Sequence, residues 1–474
     1  MPIVFVLYWF VFNQNRKIQN SLVLIASYFF YGWWSWEFML LLMASTLLDY
    51  FYGFSVASPN RSKAKFFLWL SIINNLGILA VFKYYNFFAI QVKEGLALLG
   101  MQANPLLLDI ALPVGISFYT FHGMSYVFDI YRNQQKPIKH FVDYAVFVSF
   151  FPLLVAGPIE RAGHLLPQVQ ADRRFSYPQA LAGCRLILWG LFKKVIVADT
   201  IAGYVNHIFL HYETSSAFTL LIGAIGFSFQ IYGDFSGYSD IALGTAKLFG
   251  FELLSNFKFP YFSRDIAEFW RRWHISLSSW FRDYLYIPLG GSRVGKSKAV
   301  RNTFIIFIVS GFWHGASWNF IAWGFLHACA FLPLLLLNKN RQNLTQVVAE
   351  NKTWPTLKEL GQMLLTFTFV TFAWIFFRAE TIHQAIGYIT RFVVDAAQNP
   401  MGLFQFSGGK QIVALIIPLL VGDWYLRHDE RNLKTPRTKL IRTLLYTVIT
   451  LAVTYCLLSN YFNDKGQEFI YFQF

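Results

Sequence analysis

Apolar runs of about 15–22 residues, separated by short polar gaps, recur along the whole chain. That is the length an α-helix needs to cross about 30 Å of hydrocarbon. Candidate spans lie near 2–12, 19–34, 37–56, 66–84, 107–130, 141–158, 180–200, 216–232, 236–250, 302–319, 321–337, 361–378, 410–426 and 443–460. Some of these read as re-entrant or buried, which leaves about 11–13 crossings. Only 14% of the 474 residues are charged and 55% are hydrophobic, whereas soluble domains carry roughly 25% charge. A soluble chain this long would divide into two or three domains, each with polar surface of its own. The expectation is an all-α polytopic integral membrane protein, one domain over 1–474, with re-entrant or interfacial helices.

The net charge of +15 has a distribution that argues against a nucleic-acid partner. The basic residues gather in the gaps between apolar runs: Arg16 and Lys17, Arg61 to Lys65, Arg132 to Lys139, Arg173 and Arg174, Arg293 to Arg301, Lys339 to Arg341, and Arg427 to Arg442. The positive-inside rule produces this pattern, and the parity of crossings between the gaps is consistent with it. The N-terminus is then expected outside, the basic loops in the cytoplasm, and residues 379–400, with Glu380 and Asp395, on the outer face. The first run lacks a basic n-region and a small-residue cleavage site, so it reads as a short first span rather than a signal peptide. Cys184, Cys329 and Cys456 sit in or beside apolar runs without metal-like spacing, which reads as core rather than as a disulfide framework.

One stretch, 259–301, is too polar to span and too aromatic for an ordinary loop. Ile266, Phe269, Trp270, Trp273, Leu277, Trp280, Phe281 and Tyr284 follow the i, i+3, i+4, i+7 spacing of one helical face. Glu268, Arg271, Arg272, Arg282 and Asp283 occupy the other. Such a helix would lie at the interface or dip into the protein, with His274 on the edge of the apolar face and Pro288 to Ser292 as its breaker.

Ten histidines are candidates for chemistry. His140, His164, His207, His211, His383 and His428 fall in polar connections, where a solvated role is the default. His122 and His327 lie inside apolar runs and are read as satisfied core histidines. His314 differs. It sits within an otherwise apolar run, Thr303 to Ala322, beside Trp313, Gly315, Ser317 and Asn319. An ionisable group at bilayer depth costs about 2.5–3.5 kcal/mol on insertion scales when charged, and imidazole reduces that by staying neutral, the form in which it is a general base. His314 is therefore the leading catalytic candidate and His274 the second. Trp313, Ser317, Asn319, Asp234, Tyr238, Arg272 and Asp283 are candidate substrate-binding or support residues. Asp234 to Asp240 has a blander reading, a loop whose aspartates hold turns and cap a helix starting near Ser239. There is no nucleophile elbow, P-loop or His-Glu-x-x-His motif, and no metal site is expected.

Four strings resemble the membrane-bound O-acyltransferase family: Asp234-Phe-Ser-Gly-Tyr-Ser-Asp240, Phe269-Trp-Arg-Arg-Trp-His-Ile-Ser-Leu-Ser-Ser-Trp280, Arg282-Asp-Tyr-Leu-Tyr-Ile-Pro-Leu-Gly-Gly291 and Trp313-His-Gly-Ala-Ser-Trp318. With Pro113-Val-Gly-Ile-Ser-Phe-Tyr-Thr-Phe121 and Ala156-Gly-Pro-Ile-Glu-Arg161, they look most like its bacterial branch of alginate O-acetyltransferase membrane subunits. His122 departs from that branch, where a polar amide is expected. The resemblance implies that His314 matches the family's membrane-embedded histidine and His274 its second one. It further implies helices around a central tunnel, acetyl-CoA as the donor, no tightly bound cofactor, and a bacterial inner-membrane location. A periplasmic acetyltransferase- or esterase-like partner and a polysaccharide acceptor are implied too. Arg293, Lys296, Lys298 and Arg301 would suit an anionic donor, although topology alone explains them. D-alanyl transfer in the same fold is the main alternative, and a transporter the more distant one. A transporter would be expected to show repeated halves with broken spans, and none is seen.

Overall fold

The computed structural model describes residues 1–109, 111–293, 295–400, 409–436, 438–462 and 469–470. Ile110, Val294 and Arg437, which fall within an expected span and two basic gaps, lie outside the described residues. No strand occurs among those described, as expected where every backbone group must be satisfied within its own segment. The backbone divides into two compact units, Met1–Gly183 with Ala242–Leu254, and Cys184–Ile241 with Ser255–Phe474.

The first unit holds α1 (Pro2–Val11), α2 (Arg16–Trp34), α3 (Trp36–Val56), α4 (Arg61–Leu98), α5 (Ile116–Tyr131), α6 (Phe141–Ser149) and α7 (Ala162–Gln170). Asn15, Ser35 and Asn60 each accept from backbone N–H groups of the helix that follows, the usual device for satisfying orphan donors at a helix start. Buried polar side chains bind these helices together. Asp49 on α3 accepts from Ser71 Oγ (2.7 Å) and Asn75 Nδ2 (3.0 Å) on α4. Gly123 on α5 is required there, because a Cβ would lie 2.1 Å from Asp49 Oδ2. His122 Nε2 accepts from the Glu160 amide at 3.0 Å. Glu160, fully buried, in turn receives the Leu254 amide and the His164 ring. His122 is thus tied into this network through Nε2.

The second unit contains most of α8 (Tyr177–Leu191), a π-helical segment Phe192–Ala198, α9 (Asp199–Leu210) and most of α10 (Ala217–Leu248). It continues with α11 (Ile266–Arg272), α12 (Ile275–Phe281), α13 (Lys296–His314), α14 (Trp318–Leu336) and α15 (Leu357–Arg378). It ends with α16 (Ile382–Gln398), α17 (Lys410–Leu426) and α18 (Lys439–Phe462). Six helices among the described residues are long and apolar enough to cross a membrane: α3, α4, α10, α14, α15 and α18. The other apolar helices are shorter or, like α13 with Lys296, Lys298 and Arg301, open on charge.

Two sequence expectations change. Residues 234–240 are not a loop, because α10 runs unbroken for 32 residues. The aspartates are held within the helix by two lysines of the π segment, Lys193 to Asp240 and Lys194 to Asp234, both at 2.6 Å. Asp234 also accepts from the Ile470 amide at 2.6 Å. The two aspartates lie about 9 Å apart along the helix, and adjacent lysines reach both of them from a widened turn, a feature often found at functional places. Gly190 and Gly237 allow the approach: a Cβ on either would lie 2.5–2.7 Å from the other's carbonyl oxygen. The second change concerns 266–284, which is two short helices rather than one. They are separated at Trp273 and His274, and π-helical turns follow at Arg282–Tyr286.

Candidate active site

His314 ends α13, and the chain leaves the helix at Gly315 in an extended conformation. The turn is tight because the α13–α14 hairpin is packed on glycines. A Cβ on Gly311 would lie 2.2 Å from the Phe320 carbonyl oxygen. One on Gly324 would lie 2.3 Å from that of Phe307, and one on Gly315 would meet the Phe320 ring at 2.1 Å. Small residues that let backbones touch are the usual means of joining helices where lipid removes the hydrophobic drive. Ser317 caps α14, and Asn319 donates through Nδ2 to the Ala379 carbonyl, so both hold the hairpin in place.

His274 is fixed by different means. It is fully buried and left-handed at φ +43°, a conformation that an L-residue adopts only when its surroundings compel it. Asn256 supplies the compulsion. Its carbonyl accepts from the Ile275 amide at 2.9 Å. Its side-chain Oδ1 accepts from Ser276 Oγ at 2.8 Å and faces His274 Nδ1 at 3.1 Å. An amide oxygen can only accept, so Nδ1 carries the proton and Nε2 the lone pair. Asn256 is itself steered by a 3.3 Å contact from its Nδ2 to Ser239 Oγ on α10.

The two imidazoles lie beside each other with ring centroids 6.3 Å apart and planes tilted by 59°. An aromatic wall encloses them. Phe235 meets His274 edge-on at 4.6 Å, Trp313 lies 6.0 Å from the same ring, and Trp323 and Phe377 each pack edge-on against His314 at 5.3 Å. His314 is 3% exposed. Two neutral-capable bases are thus held together in surroundings that keep water out and strengthen any electrostatic interaction with a reacting group.

The other candidates lie around this pair to different extents. Trp313 belongs to the wall, while Asp234 is committed to Lys194 and Tyr238 packs against Phe469 at 5.3 Å. Arg272 pairs with Glu268 and donates to the carbonyls of Lys258 and Gln346. Asp283 pairs with Arg282 at 2.7 Å. Asn256, Phe235 and the lysine pair 193–194 were not anticipated. Only the lysines left a signal in the sequence, as two charges inside an apolar run. His327 accepts the Trp270 indole N–H at 3.2 Å and stacks in the same aromatic group. No cluster of three or more metal-ligating side chains occurs among the described residues.

The sequence of this arrangement matches the family model of the membrane-bound O-acyltransferases over residues 33–375. A Pseudomonas putida protein named as a probable alginate O-acetylase is 38% identical over 92% of this chain and 87% of its own length. A Helicobacter pylori peptidoglycan O-acetyltransferase is 34% identical over 81% of this chain and 76% of its own. A Bacillus subtilis teichoic acid D-alanyltransferase is 28% identical over 57% and 70%. With its buried histidine pair inside the matched region, the chain belongs to the membrane-bound O-acyltransferase family and is a multi-pass membrane O-acyltransferase.

Proposed function

We propose that this O-acyltransferase takes an acetyl group from acetyl-CoA on the cytoplasmic face of the bacterial inner membrane. It passes the group towards a periplasmic partner that places it on a polysaccharide of the alginate class. The observation that carries the reading is the adjacent pair His274 and His314, 6.3 Å between ring centroids inside an aromatic enclosure. Rings this close can both reach a reacting group bound beside the pair at hydrogen-bond distance.

In this reading His314 takes the proton of the acceptor hydroxyl as its oxygen attacks the thioester carbon, a contribution of about 10²–10⁴-fold. The C–S bond then breaks, and the histidine returns the proton to the leaving thiolate, so no proton is gained or lost overall. His274, with Nδ1–H committed to Asn256, presents a lone pair that orients the donor. It stabilises developing negative charge on the acyl oxygen only if it is itself protonated. The similarity to O-acetylating relatives at 34–38% identity supports acetyl over D-alanyl as the transferred group.

The test is acetyl release from radiolabelled acetyl-CoA by detergent-purified protein. His314→Ala is expected to abolish turnover and His274→Ala to reduce it strongly, with both variants eluting as wild type. Full turnover by His314→Ala would remove His314 from the chemistry. Absence of turnover in the wild type, with and without a periplasmic fraction, would remove acetyl-CoA as donor.

A further inference from the structure

Away from the histidine pair, α8, the π segment, α17 and α18 leave a groove of about 560 Å³, within the roughly 300–1,000 Å³ typical of small-molecule sites. Its floor is aromatic: Trp189 and Phe192 stack at 5.0 Å with ring planes 14° apart. Gly422 on α17 lies so close that a Cβ there would meet the Trp189 ring at 2.3 Å. One end of the groove is polar and cationic. Arg185 and Tyr446 both line it, as does the exposed Lys434. Arg185 Nε and Tyr446 Oη are buried, and neither has a hydrogen-bond partner among the described residues.

Two buried donors left without acceptors lie in one groove, and each forgoes about 1–3 kcal/mol. Both are satisfied at once by an anionic oxygen cluster that carries an apolar tail. The basic loop containing Lys434 places this end on the cytoplasmic side by the positive-inside rule, where the leaflet surface is negatively charged and basic pockets between helices take anionic head groups.

We infer that this groove is a binding site for an anionic glycerophospholipid, with its phosphate on Arg185, Tyr446 and Lys434 and an acyl chain along Trp189 and Phe192. The site is independent of the acyl-transfer reading, because none of these residues belongs to the histidine enclosure.

The experiment is native mass spectrometry of the full chain after delipidation and titration with phosphatidylglycerol, phosphatidylcholine or inorganic phosphate. Photoreactive phosphatidylglycerol on the wild type would map the contact by peptide sequencing. Phosphatidylglycerol is expected to bind at least about tenfold more tightly than phosphatidylcholine, and Arg185→Gln with Tyr446→Phe to remove that preference, the scale of one charge-assisted hydrogen bond. Cross-links are expected within 185–192, 418–426 or 446–449. Equal binding of the two lipids would mean ordinary boundary lipid, and binding of inorganic phosphate as tight as phosphatidylglycerol would mean an anion site without a tail. Either result, or cross-links confined to other helices, overturns the inference. The wild-type mapping decides the matter even if the double variant does not fold.

Discussion

At His274 the backbone and the side chain are answered by one partner. The left-handed φ of +43° and the ring orientation both depend on Asn256, which binds the Ile275 amide through its carbonyl and faces the imidazole through its side chain. Replacing His274 by Asn, which tolerates the left-handed region, is expected to leave the melting temperature in detergent near that of the wild type while removing the imidazole. His274→Val adds a β-branched residue there and should lower stability by about 1–3 kcal/mol as well. Asn256→Ala keeps both histidines but frees the ring. Turnover should fall by roughly 10²-fold, the penalty for an ångström-scale misplacement, with donor KM changed much less than kcat. A KM rise with kcat intact would show that Asn256 serves binding rather than orientation. The histidines were legible in the sequence, since an ionisable group in an apolar run announces itself. Asn256 was not, because nothing local to residue 256 marks it as the partner of residue 274.

Elements went astray in the sequence where a partner from elsewhere in the chain overrode local pattern. The apolar spacing from Ile266 to Tyr284 continues through the break at His274, so periodicity alone gives one helix, and it is Asn256 that divides it. Residues 234–240 carry the glycine, serine and aspartate of a loop, yet α10 continues through them because Lys193 and Lys194 neutralise the aspartates. That account predicts an asymmetry. Lys193→Met leaves the mostly buried Asp240 without its cation and should lower stability by about 1–3 kcal/mol, whereas adding Asp240→Asn should recover much of the loss. Thermal unfolding of the two purified variants measures it, and equal losses in both would show the pair to be incidental. The α13–α14 hairpin makes a steric prediction of its own. Gly324→Ala puts a methyl 2.3 Å from the Phe307 carbonyl oxygen, and backbone on both sides cannot give way without displacing His314. Stability should fall by about 1–3 kcal/mol and acyl transfer by more than that loss explains. An unchanged turnover would mean that His314 tolerates the shift.

For the molecule as a whole, most of the helix boundaries were legible because hydrocarbon thickness imposes them. The runs read at 37–56, 361–378 and 443–460 correspond to Trp36–Val56, Leu357–Arg378 and Lys439–Phe462. The agreement fails where polar residues sit inside a helix, as where two expected spans fuse into α10, and where an apolar run is only partly helical, as at 141–158, of which Phe141–Ser149 forms α6. Topology follows from charge placed against these boundaries. If the gap holding Lys298 is cytoplasmic and α13 crosses despite its charged start, the positive-inside rule predicts that α13 leads outward, α14 returns to the loop at 337–356, and α15 leads outward again to Glu380. In a variant freed of Cys184, Cys329 and Cys456, a cysteine in place of Glu380 should react with a membrane-impermeant maleimide in cells whose outer membrane has been opened. One in place of Lys298 or Lys352 should react only after the membrane that holds the protein is also breached. If Lys298 and Glu380 were labelled from the same side, α13, α14 and α15 could not each cross once. The histidine pair would then have to be reached by donor and acceptor from a single face.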